Sequence, residues 1–380
     1  MTPTSQRRTR AFSRRRRRSA SERKSTPSKG KEAALSNAEL AELLAREAEN
    51  ANAPLNRAFR RASRRAFFWP EEASVVLASG RSLTELQGIG PYLKKIVAKW
   101  LSDRPAVPEP PPVRAGFLAL TEAQSILDSK AEWLPSINGD LQMHTLWSDG
   151  TASIEEMASA AVERKYEYIA ITDHAKTLKI AGGIDEDELR KQANEIEEVN
   201  GGLARAGKKL RVLRSIELNL NPRGEGDMDE RALAKLDIAI GCFHSSPRRK
   251  EDQTERYLNA LRNPNIQILA HPRGRIYNYR LGLSADWPRV LALAAQLDKA
   301  VEIDAYPDRQ DLSPDLLALA RQAGCRISFG TDSHGPSQLR FMVFAAASAL
   351  RVGISGERIL NFMTCVELLD WVQSVRKLRD

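Results

Sequence analysis

From residue 137 onward, short apolar runs alternate with longer stretches whose apolar positions recur at helical spacing. The runs lie near 138–143, 168–172, 211–218, 236–242, 266–270, 300–304 and 326–331. Such alternation marks parallel strands joined by crossover helices. Seven units between residues 137 and 376 predict an α/β fold and fit a closed barrel better than an open sheet. The chain before them reads as a small all-α unit. Ser36 and Glu39 make an S-x-x-E capping box, and Leu40, Leu43 and Leu44 follow at helical spacing. A second helix is predicted over 54–67, with Arg57, Arg60, Arg61, Arg64 and Arg65 among its exposed positions, and a short one over 71–78. In Leu86-Gln87-Gly88-Ile89-Gly90-Pro91 two glycines flank one apolar residue and Pro91 opens the next helix. That pattern predicts a helix-hairpin-helix. Its backbone amides at a helix start suit an anion, with Lys94 and Lys95 one turn on, so Gly88, Ile89, Gly90, Lys94 and Lys95 are candidate DNA-backbone contacts. Pro105, Pro108, Pro110, Pro111 and Pro112 make an extended linker. The expected organisation is a tail over 1–35, a helical domain over 36–102, a Pro-rich linker with a short helix over 103–136, and an α/β domain over 137–380.

Charge changes this picture at one end. Of 58 Lys and Arg and 49 Asp and Glu, residues 1–32 hold 12 basic and two acidic, leaving 46 against 47 elsewhere. The excess therefore sits in a tail containing Arg14-Arg15-Arg16-Arg17-Arg18, too polar to bury a core and expected to be a disordered polycation suited to nucleic acid. Cys242, Cys325 and Cys365 form no CxxC pair and read as buried small side chains. No apolar run is long enough to cross a bilayer, no secretory signal stands at the N-terminus, and a cytoplasmic location is expected, with the nucleoid as a place the tail would take it. Nothing points to an oligomer.

The chemistry lies at the ends of the strands. They deliver Gln142 and His144, then Asp149; Asp173 and His174; Glu217; His244; His271; Glu302 and Asp304; and Asp332 and His334. The C-terminal strand ends of an α/β barrel meet at one mouth, so these residues would converge. All five histidines of the chain lie on this edge beside carboxylates. Imidazole with carboxylate suits manganese, zinc or iron, and magnesium less well. The set suffices for two or three divalent ions, with Glu217 able to bridge. Such ions clamp a phosphate and lower the pKa of a water towards neutrality. Arg248, Arg249, Arg273, Arg275 and Arg309 follow the strand ends and are candidate phosphate contacts.

These segments resemble a known family. Gly139-Asp140-Leu141-Gln142-Met143-His144, Trp147-Ser148-Asp149-Gly150, Ile171-Thr172-Asp173-His174, Ala270-His271-Pro272 and Thr331-Asp332-Ser333-His334 match a PHP domain (polymerase and histidinol phosphatase), most closely the C-terminal one of bacterial family X DNA polymerases. The resemblance implies a distorted seven-stranded β/α barrel with a trinuclear site. One metal would use Gln142, His144, Glu217 and Asp332, a second Glu217, His244 and His271, and a third Asp149, His174 and His334. The wider family begins His-x-His where this chain has Gln142, a neutral amide and a weaker ligand. Residues 36–102 resemble the small helical domain of the same polymerases, but the stretch from Asp103 to Ile137 is too short for a palm, and no lysine falls between Lys31 and Lys94 to serve as a lyase. The expected function is metal-dependent phosphodiester hydrolysis on DNA, as a 3′–5′ exonuclease or 3′-end processing enzyme in repair, alongside a separate polymerase or repair factors. A small-molecule phosphatase of the histidinol-phosphate type and a non-catalytic DNA-binding accessory protein are the alternatives.

Overall fold

The computed structural model describes residues 34–245 and 248–377, and from Leu35 onward the chain packs as one compact unit. The arginine run lies outside the described residues. Among the described residues four helices come first: α1 (Asn37–Asn50), α2 (Leu55–Ala66), α3 (Ala73–Ala78) and α4 (Pro91–Asp103). The capping box is formed, since Ser36 Oγ accepts from the Glu39 N–H at 3.2 Å and Glu39 Oε2 from the Ser36 N–H at 2.7 Å. Helix α2 buries Phe59, Ala62, Ser63 and Ala66 and turns its five arginines to solvent. Pro91 is the first residue of α4. Before it Gly88 has φ +92°, and a Cβ there would lie 3.3 Å from Arg65 Cβ and 3.4 Å from Ala62 Cα. The missing side chain lets the Gly88-Ile89-Gly90 turn lie directly on α2. Helix α5 (Leu120–Asp128) follows the Pro-rich stretch.

Among the described residues the α/β part holds eight strands: β1 (Gly139–Asp140), β2 (Tyr168–Ile171), β3 (Arg211–Arg214), β4 (Glu217–Asn219), β5 (Ile240–Cys242), β6 (Ile268–Leu269), β7 (Ala300–Asp304) and β8 (Arg326–Gly330). They form two parallel sheets, β1-β2-β3 and β4-β5-β6-β7-β8, rather than one ring of seven. The extra strand arises because the run expected over 211–218 breaks. Asp237 Oδ2 accepts the Arg214 N–H at 2.8 Å, and the chain re-enters a ladder at Glu217, opposite Ile240 of β5. Single parallel bridges, Met143 beside Ser333 and His174 beside Glu217, join residues of the two halves. The C-terminal helix α6 (Cys365–Lys377) packs Leu368, Trp371, Val372 and Val375 with strand residues such as Tyr168, Leu213 and Ile240. Trp371 Nε1 donates to the carbonyl of Asp298, just ahead of β7, so this helix sits at the end of the strands opposite the histidines.

Candidate metal centre

Each predicted ligand sits on or just beyond a strand, and backbone bonds set its place. The His144 N–H donates to the Ser333 carbonyl at 2.7 Å, and the His271 N–H to Glu302 Oε2 at 2.7 Å. His271 and Asp332 have φ of 26° and 49°, a region non-glycine residues seldom occupy and one often found at functional positions. Asp149 arrives on a loop folded around the buried Asp173. That carboxylate accepts from Thr145 N at 2.8 Å, Thr145 Oγ1 at 2.7 Å, Ser148 Oγ at 2.5 Å and Gln192 Nε2 at 2.7 Å. Asp173 thus shapes the loop and has no capacity left for a ligand role.

The side chains converge through two carboxylates. Glu217 Oε1 lies 2.6 Å from His271 Nε2, 3.2 Å from Gln142 Nε2 and 3.6 Å from His244 Nε2, and its Oε2 lies 2.7 Å from His174 Nδ1 and 3.8 Å from His144 Nε2. Asp149 Oδ1 lies 3.4 Å from His334 Nε2, 3.5 Å from His174 Nε2 and 3.9 Å from His144 Nδ1. Asp332 Oδ1 is 3.0 Å from His144 Nε2. The donor atoms of His144, Asp149, His174 and His334 lie within 4.8 Å of one another, as do those of Glu217, Cys242, His244 and His271. His144 stands between the first group and Asp332, so the neat division into three separate ligand sets is not visible in the distances alone.

Many of these contacts are close without being hydrogen bonds. Gln142 Oε1, both ring nitrogens of His144, His174 Nδ1, Glu217 Oε2 and Asp332 Oδ2 are buried and have no hydrogen-bond partner. A buried polar atom left in that state costs about 1–3 kcal/mol. Several at one place, on imidazole and carboxylate groups that face a common space, fit divalent cations. Cys242 is the exception in the second group. Burial and the nearby Glu217 charge push its thiol well up, and its S–H points to the Leu218 carbonyl at 3.4 Å, so it stays a neutral core side chain.

The charges of the site are sorted by environment. Burial opposes ionisation of Glu217, but His244, His174 and His271 hold its carboxyl well below the usual range. Asp332 is also buried, and Arg309 and His144 hold it low. Burial and neighbouring carboxylates push Glu302 and Asp304 well up, towards the neutral form. Burial would lower His174, yet the adjacent Glu217 and Asp149 carboxylates raise it to about 10. Burial dominates at His244 and, with the positive charges around it, lowers it to about 3.

Of the candidate phosphate contacts, Arg309 reaches Asp332 Oδ2 at 3.2 Å and Arg273 Nη1 reaches Ser313 Oγ at 3.4 Å. Arg248 and Arg249 are exposed. Arg275 does not belong with them. It is 4% exposed, donates to the Ala115 carbonyl at 2.8 Å and lies over the Phe117 ring at 3.7 Å, because the hairpin after β6 turns it towards the helical part. Asn219 escaped sequence reasoning. Its Oδ1 is 2.5 Å from His244 Nδ1, an orienting contact. Its position two residues after Glu217, on the same face of a strand, was the available signal.

A parallel α/β scaffold with buried histidines and carboxylates at its strand ends defines a candidate site for divalent metal ions. Residues 140–306 match the family model described as PHP domain. The chain is 36% identical over 229 residues to "DNA polymerase/3'-5' exonuclease PolX" of Bacillus subtilis, a match covering 60% of this chain and 40% of that relative. It is 30% identical over 206 residues to a "Probable phosphatase" of Acetivibrio thermocellus, covering 51% of this chain and 78% of that one. The chain belongs to the PHP-domain family. Among solved structures, histidinol phosphate phosphatase from Lactococcus lactis, complexed with zinc, L-histidinol and phosphate, aligns at TM-score 0.39 and 16% identity, over 55% of this chain and 94% of that one.

Proposed function

We propose that this chain is a metal-dependent phosphodiesterase acting on DNA, a 3′–5′ exonuclease or 3′-end processing enzyme that works beside a separate polymerase or repair factor. The carrying observation for the chemistry is the cluster of buried donor atoms without hydrogen bonds on Gln142, His144, His174, Glu217 and Asp332. The carrying observation for DNA is the helical part: five exposed arginines on α2 with the Gly88 turn seated against Arg65 and exposed Lys94 and Lys95 beyond it. The Bacillus subtilis relative carries a 3′–5′ exonuclease in its name, although this chain spans only 40% of it.

In this reading Gln142, His144, Asp149, His174, Glu217, His244, His271, Asp332 and His334 hold two or three divalent cations, manganese or zinc before iron or magnesium. The cations would supply a water acidified to near neutral pH and would screen the phosphate charge. Glu217, held ionised and within 4 Å of four histidines and the Gln142 amide, would be the ligand shared between cations. Arg309, 3.2 Å from Asp332 Oδ2, stands beside the ligands, where its guanidinium would orient a phosphate. The two sheets, linked at Met143–Ser333 and His174–Glu217, are read as one distorted barrel whose mouth this is.

Digestion of a 3′-labelled oligonucleotide with added manganese tests the reading. Stepwise shortening by the native chain and its loss in His271→Ala are expected. Turnover of histidinol phosphate with DNA left intact would replace it with the small-molecule phosphatase, a reading that the phosphatase relatives favour. Bound metal with no ester turned over would leave an accessory DNA-binding protein.

A further inference from the structure

The hairpin after β6 carries two tyrosines, two residues apart, with opposite surroundings. Tyr277 is 2% exposed; its hydroxyl is 2.9 Å from Ser63 Oγ of α2, and its ring packs edge-on against Phe67 and Phe117 at 4.8 and 5.2 Å between centroids. Tyr279 is 60% exposed. An exposed aromatic ring on a loose loop would mean little, but this turn is stiff. The N–H groups of Tyr279 and Arg280 both donate to the Ile276 carbonyl at 3.1 Å, the Ile276 N–H donates back to Arg280 at 3.0 Å, and Arg114 holds Asn278 Oδ1 at 3.0 Å.

Arg248, from the segment after His244, covers one face of the Tyr279 ring at 4.7 Å from its centroid. Further guanidinium groups lead inward from there. Arg280, next to Tyr279, donates its Nε to the Gly274 carbonyl at 2.6 Å, and the Gly274 N–H donates to the His271 carbonyl at 3.0 Å, which ties this guanidinium to the strand end that carries His271. Arg309 in turn lies 3.2 Å from Asp332 of the metal centre. A small phosphate monoester needs neither a line of cations nor an aromatic ring outside the mouth. A polynucleotide strand needs both, one for its phosphates and one for a base.

We propose that Tyr279, backed by Arg248, is a stacking platform for a base near the end of a single DNA strand, with Arg280 and Arg309 lining the path of the intervening phosphates into the metal centre. The proposal rests on the DNA-directed reading above. Stacking on an aromatic platform is sequence-tolerant, so the site would hold any terminal sequence.

The test uses the full chain with manganese and an oligonucleotide that carries 2-aminopurine near a phosphorothioate-protected 3′ end. Quenching of the 2-aminopurine on binding is expected with the native chain and with Tyr279→Phe. In Tyr279→Ala the quenching disappears and affinity falls about tenfold, while hydrolysis of bis(p-nitrophenyl) phosphate stays unchanged in both variants. If the native chain cuts DNA but Tyr279→Ala binds and quenches equally well, the platform is wrong and the DNA-directed reading stands. If the native chain ignores oligonucleotides and hydrolyses only small esters, both fall together.

Discussion

His244 shows how much depends on one contact. Its Nδ1 faces Asn219 Oδ1 at 2.5 Å, which fixes the tautomer and presents Nε2, 3.6 Å from Glu217, to the centre. Removing such an outer partner weakens metal binding or activity by about 10- to 100-fold. Asn219→Ala is therefore expected to lose activity within that range and to regain part of it at raised manganese; unchanged activity at limiting metal would discount the contact. His174 sets the pH behaviour. Raised to about 10 by Glu217 and Asp149 against the effect of burial, it is protonated at neutral pH in the metal-free chain. A metal must displace that proton, so affinity should rise as pH increases through the neutral range towards 10, with protons released on binding. Calorimetry in buffers of different ionisation enthalpy measures the release; a flat affinity between pH 6 and 9 would argue against it.

Elements carry these residues, and their legibility in the sequence was uneven. The caps were readable because their rules are local: Ser36 and Glu39 for α1, Pro91 for α4. The strand ends that bear histidines were readable because five rare residues mark them. The break between β3 and β4 was not, because Asp237 makes it from 23 residues away. Arg275 was misplaced for a similar reason, since the turn that swings it onto Phe117 is stabilised by Tyr277 and Asn278 contacting the helical part. The Asp149 loop makes a prediction at this scale. A Cβ on Gly150 would lie 2.5 Å from Thr145 N and 2.6 Å from the His144 carbonyl carbon, neither able to yield. Gly150→Ala should cost about 1–3 kcal/mol of stability, as overpacking does, and should lower activity more than the folded fraction explains by displacing Asp149. Denaturant melts with parallel activity measurements check it, and equal losses in both would confine the effect to stability.

For the molecule as a whole, the helical part and the α/β part share side chains rather than merely adjoin. Phe117 and Tyr277 lie in the same apolar cluster as Leu40, Phe59 and Val97. Arg114, 5% exposed, spans the join, with Nε 2.8 Å and Nη2 2.9 Å from the two oxygens of the buried Glu42 and Nη1 3.0 Å from Asn278. Cutting one partner from a buried ion pair costs about 3–5 kcal/mol where the other is left stranded, and Glu42, which keeps Arg46 Nε at 2.8 Å, sets the loss at the lower end of that range. Arg114→Ala should fall by that amount in urea unfolding, and a shift under 1 kcal/mol would show the pair to be effectively solvated. The Ser63–Tyr277 and Arg114–Glu42 contacts have a geometric consequence as well. They fix the distance from the arginine face of α2 to the histidines, so under the proposed DNA-directed activity a chain gripping duplex at one and trimming an end at the other would act as a ruler, leaving an overhang whose length is set by the protein and not by the sequence it meets.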